Sequence, residues 1–278
     1  MSNQDSDTLE NLQYAAKSIR KNILVLCRRC GESGAHLGGC MSLVEILTVL
    51  YMEILNYKTD DLKWEKRDRV FLSKGHSAIA LYAAMKYVGM ISETDFMLPL
   101  LGDNALFCKH PVRNLEKGIE MSSGSLGQGL SYAVGSALAL RNRGHNDVKI
   151  FVILGDGECN EGSIWEAAAL AGHMKLSNLI VIIDKNNLQL DGYTKTVLNM
   201  DKLSEKMKVF GFEVREVDGH NMDELRAAFI IKSDKPLAII AKTIKGKGVS
   251  FAENNVDWHQ NFLDEELYIR AMEEQEVL

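Results

Sequence analysis

Proline is scarce in this chain, with three in 278 residues. Two of them, Pro99 and Pro111, fall in a loop-rich stretch over 99–121. No Pro- or Ser-rich linker, internal repeat or low-complexity segment divides the rest, so one domain over residues 1–278 is expected, at a length that suits a large α/β unit. Long hydrophobic runs are also lacking. A membrane-spanning helix needs about 20 apolar residues in succession, and no uninterrupted run here reaches that. A basic excess is lacking too: the net charge is −6, which offers no bulk attraction to nucleic acid or to an anionic membrane. The N-terminus, MSNQDSDTLEN, is polar and acidic, unlike a signal or transit peptide, so a cytoplasmic location is expected. Cysteines in a pairing pattern are the last absence. Cys27, Cys30, Cys40, Cys108 and Cys159 are odd in number and irregularly spaced, which argues against a disulfide framework. Cys27-x-x-Cys30 has the spacing of a zinc or redox pair. It lies within a helical pattern and no second pair follows, so plain buried thiols are expected.

What is present is an alternation of helical and apolar segments. Leu12, Ala15, Ala16, Ile19, Ile23 and Leu26 repeat at helical spacing, in a helix that should end by Gly31–Gly34. Ser42 and Glu45 have capping-box spacing at the head of a helix over 42–55. A short strand over 69–73 enters the turn Lys74-Gly75-His76, and a helix follows over 78–90. A glycine-rich turn from 122 leads into a helix of small residues up to 144. The runs 148–154, 178–184 and 237–243 read as buried strands. Helices are expected over 161–173, from the Asn221/Glu224 cap to about 232, and from Asp264 onward. Continuously apolar strands alternating with helices indicate an α/β fold of three layers, α/β/α, with a mostly parallel central sheet covered on both faces. In such sheets ligands bind outside the carboxyl ends of the strands. The loops after 73, 154, 184 and 243 should share that edge.

At that edge stands LGDGECNEG (154–162), directly after the apolar run IFVI (150–153). A strand-turn-helix with glycines in the turn brings peptide N–H groups and a helix N-terminus to a phosphate. Alone, Gly155-Asp156-Gly157 reads first as a turn with an Asx-type hydrogen bond. The next strand changes this, because it ends in Asp184-Lys185-Asn186-Asn187-Leu188. Adjacent parallel strands bring Asp156 and Asn186 to one edge. A carboxylate, a side-chain amide oxygen and an irregular backbone carbonyl are three hard ligands for Mg²⁺, which shares such oxygens with substrate phosphates and water. The pattern points to a metal-bridged diphosphate.

Gly-Asp-Gly, 28 residues, then Asn-Asn is similar to the thiamine diphosphate fingerprint, and the wider sequence resembles transketolases. The segments that carry the resemblance are RDRVFLSKGHSAIALY (67–82), SSGSLGQGLSYAVG (122–135), LGDGECNEGSIWEAAALAGHMKLSNLIVIIDKNNLQLDG (154–192), VDGH (217–220), KTIKGKGVSF (242–251) and DWH (257–259). They cover almost the whole chain but only the N-terminal, diphosphate-binding half of a transketolase. The chain therefore resembles the smaller subunit of a split transketolase. By that resemblance Asp156, Asn186 and the Leu188 carbonyl hold Mg²⁺, Gly157 contacts the diphosphate and His76 lies beside it. Gly124 and Leu126 touch the aminopyrimidine, with Ser125 where the family usually has proline. His36, His110 and His259 correspond to histidines at the active-site mouth, His259 also reaching the cofactor. Imidazoles there can donate hydrogen bonds to a developing alkoxide and move protons as a C2–C3 bond breaks. Glu161 and Glu166 correspond to carboxylates that run toward a subunit interface, although acids in the first turn of a helix are favourable in any case. Trp165 reads as an interface or core anchor, and His145, His173 and His220 as structural.

Ala35, Leu37, Ser125 and Gln260 depart from the family pattern near the substrate path. The resemblance also implies what is missing. The glutamate that activates the cofactor, and most arginines that hold sugar phosphate, belong to a pyrimidine-binding domain. A second subunit with that domain and the C-terminal domain is expected, two copies of each chain assembling, with the isolated chain inactive. The implied activity is thiamine diphosphate- and Mg²⁺-dependent transfer of a two-carbon ketol unit from a ketose phosphate to an aldose phosphate. One alternative is a specialised enzyme with an unusual sugar or carrier-bound thiol as acceptor. Another is a cofactor-binding or scaffold subunit without catalysis.

Overall fold

The structure is a computed structural model and describes residues 3–98, 100 and 105–277. Pro99 and residues 101–104 of the loop-rich stretch, and residues 1, 2 and 278 of the expected domain, lie outside these. In chain order the strands are β1 (Arg69–Leu72), β2 (Ile150–Gly155), β3 (Leu179–Lys185), β4 (Leu188–Gln189), β5 (Gly192–Tyr193), β6 (Glu213–Asp218) and β7 (Leu237–Lys242). The helices are α1 (Asn3–Arg29), α2 (Leu37–Met41), α3 (Val44–Val49), α4 (Ala78–Tyr87), α5 (Glu93–Phe96), α6 (Gly129–Asn142), α7 (Gly162–His173), α8 (Thr194–Val197), α9 (Leu203–Val209), α10 (Met222–Phe229) and α11 (Glu265–Val277). Five strands form one parallel sheet in the order β1-β2-β3-β7-β6, and β4 and β5 make a small antiparallel hairpin.

Side chains alternate across a strand, and the sheet uses both faces. Phe151, Ile153, Ile180, Ile182, Leu237 and Ile239 pack with α1, α3, α4 and α10 on one side. Ile150, Val152, Leu179, Val181, Ala238 and Ile240 pack with α6, α7 and α9 on the other. This two-sided burial is why the strands read as unbroken apolar runs, each fully buried Leu, Ile or Val contributing about 1.5–3 kcal/mol relative to exposure. The three-layer α/β/α arrangement follows. Gly155 pairs with Asp184, and Asp184 with Ala241, so β2, β3 and β7 end level with one another.

Three expectations change. First, β6 is an additional edge strand. Its residues Glu213, Arg215, Glu216 and Asp218 break the apolar run, because only Val214 and Val217 are buried. Second, Ser42 and Glu45 form no capping box. An N-cap residue needs extended backbone, whereas Ser42 is helical (φ −63°, ψ −22°) at the end of α2. Its hydroxyl turns inward to Asp184 at 2.7 Å, and Glu45 enters a buried ion pair with Arg20. Third, the helix over 42–55 is α3 followed by a π-helical turn, Leu50–Ile54. The Asn221 cap is present, its side chain accepting from the N–H groups of Asp223 and Glu224.

α7 lies so close to the end of α9 that a Cβ on Gly172 would stand 1.6 Å from the Phe210 carbonyl oxygen. Backbone cannot yield as a side chain does. Gly172→Ala should therefore destabilise the chain by about 3 kcal/mol or more, read as a fall in the urea midpoint at unchanged m-value. A neutral result would show that the two helices can part without cost.

Candidate active site

The carboxyl edge of the sheet is organised by a buried charge. Asp184, the last residue but one of β3, is fully buried. Its carboxylate accepts from the Lys74 ammonium beyond β1, the Thr243 hydroxyl beyond β7, Ser42 at 2.7 Å and the Asn186 amide at 3.1 Å. Lys74, itself buried, also donates to the Gly39 carbonyl at 3.2 Å. Burial pushes the Asp184 carboxyl up, and the Lys74 ammonium and the donated hydrogen bonds outweigh it, so the group is held below its ordinary value.

Above this pair lie the expected metal ligands. Asp156 Oδ1 accepts from Gly157 N at 2.9 Å, and Oδ2 from Asn187 N at 2.6 Å. The Asn186 amide is fixed at both ends, its nitrogen on Asp184 and its oxygen accepting from Leu188 N at 3.1 Å. The Leu188 carbonyl accepts from the Lys245 ammonium at 3.0 Å. Hence a cationic group already sits on one of the three oxygens. Asp156 is raised to about 6, first by burial and then by the neighbouring Asp184 charge. A hard-oxygen set with one buried carboxylate suits Mg²⁺, which takes one or two protein carboxylates and completes its octahedron with phosphate and water. A divalent cation there would also relieve the carboxylate that burial disfavours.

The same cleft, about 380 Å³, is lined by His36, His76, His110, Gly124, Leu126, Asp156, Gly157, Glu161, Asn186, Leu188 and His259. Every residue assigned a cofactor, metal or catalytic role from the sequence thus lies on one cavity. The four imidazoles form a cluster. His36 is 5.4 Å from His76, 5.5 Å from His110 and 5.5 Å from His259 between ring centroids, and His76 is 5.3 Å from His259. Burial lowers His36 to about 4, helped by charge on His110 and by Lys109. Burial and then Lys245 lower His259 to about 3. His76 is lowered well below its ordinary value, and His110 is lowered too, burial leading in both. All four are therefore neutral at pH 7. His259 Nδ1 lies 2.8 Å from the Lys245 ammonium and accepts its hydrogen bond, which leaves the ring proton on Nε2.

Glu166 is on the exposed face of α7, away from the cleft. Trp165 is half-buried, stacked on Phe210 and donating to the Cys159 carbonyl at 2.9 Å. Cys27 and Cys30 are buried in the core beside α1. Lys74, Asp184, Glu158 and Lys245 are site residues that the sequence reading left without roles. Glu158 accepts from the Ser73 hydroxyl, from Gly127 N at 2.8 Å and from Gly155 N at 3.1 Å, clasping the turn before α6 to the turn after β2. The signal for the Lys74–Asp184 pair was a charge at the carboxyl end of each apolar strand.

Residues 15–275 match the profile of the transketolase, thiamine diphosphate binding domain. The chain belongs to this family. It is 42% identical over 254 residues to one chain of the apulose-4-phosphate transketolase of Actinobacillus succinogenes, itself named as a subunit, and the match covers 90% of each chain. It is 39% identical over 279 residues to a 6-deoxy-6-sulfo-D-fructose transketolase subunit of a Clostridium species, covering 99% of this chain and 98% of that one. The transketolase of Campylobacter jejuni superposes with a TM-score of 0.85 at 31% identity, over 95% of this chain and 42% of its own. The chain spans less than half of that solved transketolase, and nearly the full length of the two relatives named as transketolase subunits. It is a transketolase-type transferase subunit.

Two outcomes follow from these charges. Lys74→Met would leave the Asp184 charge buried without its counter-ion, and should cost about 3–5 kcal/mol in chemical denaturation. A loss below about 1 kcal/mol would mean that water reaches Asp184. The second concerns pH. His36 and His259 bind protons less well folded than unfolded, where the value is about 6.5. Stability that is full above pH 6.5 is therefore lost as the pH falls through 6.5 toward 4, by about 1.4 kcal/mol per unit for each. Asp156, raised when folded, opposes this between about pH 6 and 4, as do the raised carboxyls of Glu158 and Asp68, while the lowered His76 and His110 add to the loss. The melting temperature of metal-free protein should fall from pH 7 to 5, less steeply in His259→Asn. A rise on acidification would contradict the neutral cluster.

Proposed function

We propose that this chain, as one cofactor-binding domain, holds thiamine diphosphate and Mg²⁺ in the cleft. We further propose that it assembles in the cytoplasm with a second subunit carrying the pyrimidine-binding and C-terminal domains, two copies of each. The assembly transfers a two-carbon ketol unit from a ketose phosphate to an aldose acceptor. The observation that carries this is the neutral imidazole cluster standing over the Asp156, Asn186 and Leu188 oxygens in a single cavity. Acid–base work and diphosphate binding are thereby brought side by side.

Asp156, Asn186 and the Leu188 carbonyl would hold the metal, and Lys245, displaced from Leu188, would meet phosphate charge. Gly157 and His76 line the diphosphate end, and Gly124 and Leu126 the aminopyrimidine end. His110 packs on Gly124, where a Cβ would be 3.5 Å from its ring. When bound, the cofactor supplies the carbanion and the electron sink. His36, His110 and His259 then donate hydrogen bonds to the sugar oxygen on which charge develops and move the proton as the C2–C3 bond breaks. The Nε2–H of His259 is already assigned as a donor by Lys245. Glu161, exposed at the cleft edge beside Gly127, would continue toward the partner subunit's glutamate.

A second reading keeps the chemistry and changes the acceptor. It is favoured by the relatives that share the chain's length, whose names specify apulose 4-phosphate and 6-deoxy-6-sulfo-D-fructose. Pull-down from the native extract with Mg²⁺ and thiamine diphosphate, read by mass spectrometry, tests the assembly. Screening the reconstituted pair with phosphorylated, sulfonated and neutral acceptors tests the specificity.

The isolated chain should show no ketol transfer, and Asp156→Ala in the pair should abolish Mg²⁺-dependent cofactor binding by calorimetry. Activity from the pure chain, or unchanged cofactor affinity in the variant, would contradict the proposal.

A further inference from the structure

A buried relay runs from the outer helical layer to the cleft. Arg20 of α1 pairs with Glu45 of α3, both nearly inaccessible at 8% and 5% exposure. Glu45 Oε2 lies 2.8 Å from His220 Nδ1. The other ring nitrogen, Nε2, accepts the peptide N–H of Ile244 at 2.8 Å. An imidazole nitrogen that accepts a peptide N–H carries no proton, so the ring proton is on Nδ1 and donates to Glu45. The carboxylate therefore sets the tautomer, and the tautomer sets the acceptor offered to the backbone.

That backbone leads into the cleft. Lys245 follows Ile244 and reaches the Leu188 carbonyl at 3.0 Å and His259 Nδ1 at 2.8 Å. The segment is held on either side, by the Thr243 hydroxyl on Asp184, by Gly246 N on the Gly38 carbonyl at 2.9 Å and by Asn254 N on the Lys245 carbonyl at 2.9 Å. At Ile244 itself the carbonyl accepts from Lys247 N at 3.2 Å, and the peptide N–H is held by the histidine. His220 also anchors its own turn, its N–H donating to Asp218 Oδ1 at 2.9 Å. It lines two other cavities and not the cleft, so it acts on the cleft only through the chain.

We propose that His220 is a positioning residue for the cofactor site: backed by Glu45 and Arg20, it fixes the peptide N–H of Ile244 and so the reach of the Lys245 ammonium into the cleft beside His259. This rests on the cofactor reading of the cleft. A buried ion pair outside the cleft lining thereby acts on diphosphate affinity without touching the ligand.

The test is the thiamine diphosphate Kd, measured by calorimetry with Mg²⁺ on the assembled two-subunit enzyme, for His220→Ala, His220→Gln, Lys245→Ala and the His220→Ala/Lys245→Ala double variant. Lys245→Ala and His220→Ala should each weaken binding about tenfold or more. His220→Gln, whose amide oxygen can accept from Ile244, should recover most of the affinity. In the Lys245→Ala background, His220→Ala should add less than about twofold, because residues acting through one another are not additive. A full additive loss, or a His220→Ala Kd equal to wild type while Lys245→Ala is weakened, overturns the inference alone. An unchanged Kd in Lys245→Ala overturns the cofactor reading of that lysine and the inference with it. Should His220→Ala not fold, Glu45→Gln must shift Kd in the same direction, and an unchanged Kd there counts against the relay.

Discussion

A charge buried at the end of a strand governs this edge of the molecule. Asp184 has no water to solvate it, so its carboxylate must be satisfied by protein, and the four donors that do so come from four places in the chain. Lys74 follows β1, Ser42 ends α2, Thr243 follows β7 and Asn186 follows β3 itself. Separating such a pair leaves an uncompensated charge, which costs far more than the pair gains by forming. The strand ends are therefore held together by a penalty for parting. The same carboxylate fixes the nitrogen end of Asn186, which turns the amide oxygen toward Leu188 N with one lone pair to spare, and its charge helps raise the neighbouring Asp156. Two aspartates on adjacent strands are in this way driven apart in character, one kept ionised inside and one poised for a cation.

The histidines follow from the same field. Lys74 and Lys245 stand beneath them, and burial disfavours a further positive charge, so the imidazoles remain neutral. Neutral imidazole both donates and accepts, whereas imidazolium only donates. The cluster can thus exchange protons with a sugar hydroxyl at physiological pH. Its cost appears elsewhere, in sensitivity of the fold to acid.

Much of this was legible in the sequence. β1, β2, β3 and β7 announced themselves because burial keeps their interiors apolar and confines charge to their ends. Asp156, Asn186 and Leu188 were legible because parallel neighbours bring strand ends to one edge whatever the loops do. The histidines gained meaning only from resemblance, since a single loop histidine says nothing by itself. β6 was hidden because an edge strand tolerates charge. Ser42 and Glu45 misled because capping-box spacing is local, while both side chains answer to distant partners, Asp184 in one case and Arg20 with His220 in the other. Glu158 and Lys245 were silent for the same reason. Their roles lie in what folds against them, not in their neighbours along the chain.

The Glu158 clasp carries one more consequence. A single carboxylate bonds to Ser73, Gly127 and Gly155, and so joins the turn that bears Gly124 and Leu126 to the turn that bears Asp156 and Gly157. A ligand spanning the two turns meets a gap whose width one side chain sets. The chain is a calliper, its jaws held at a spacing fixed by the bonds that one buried carboxylate makes.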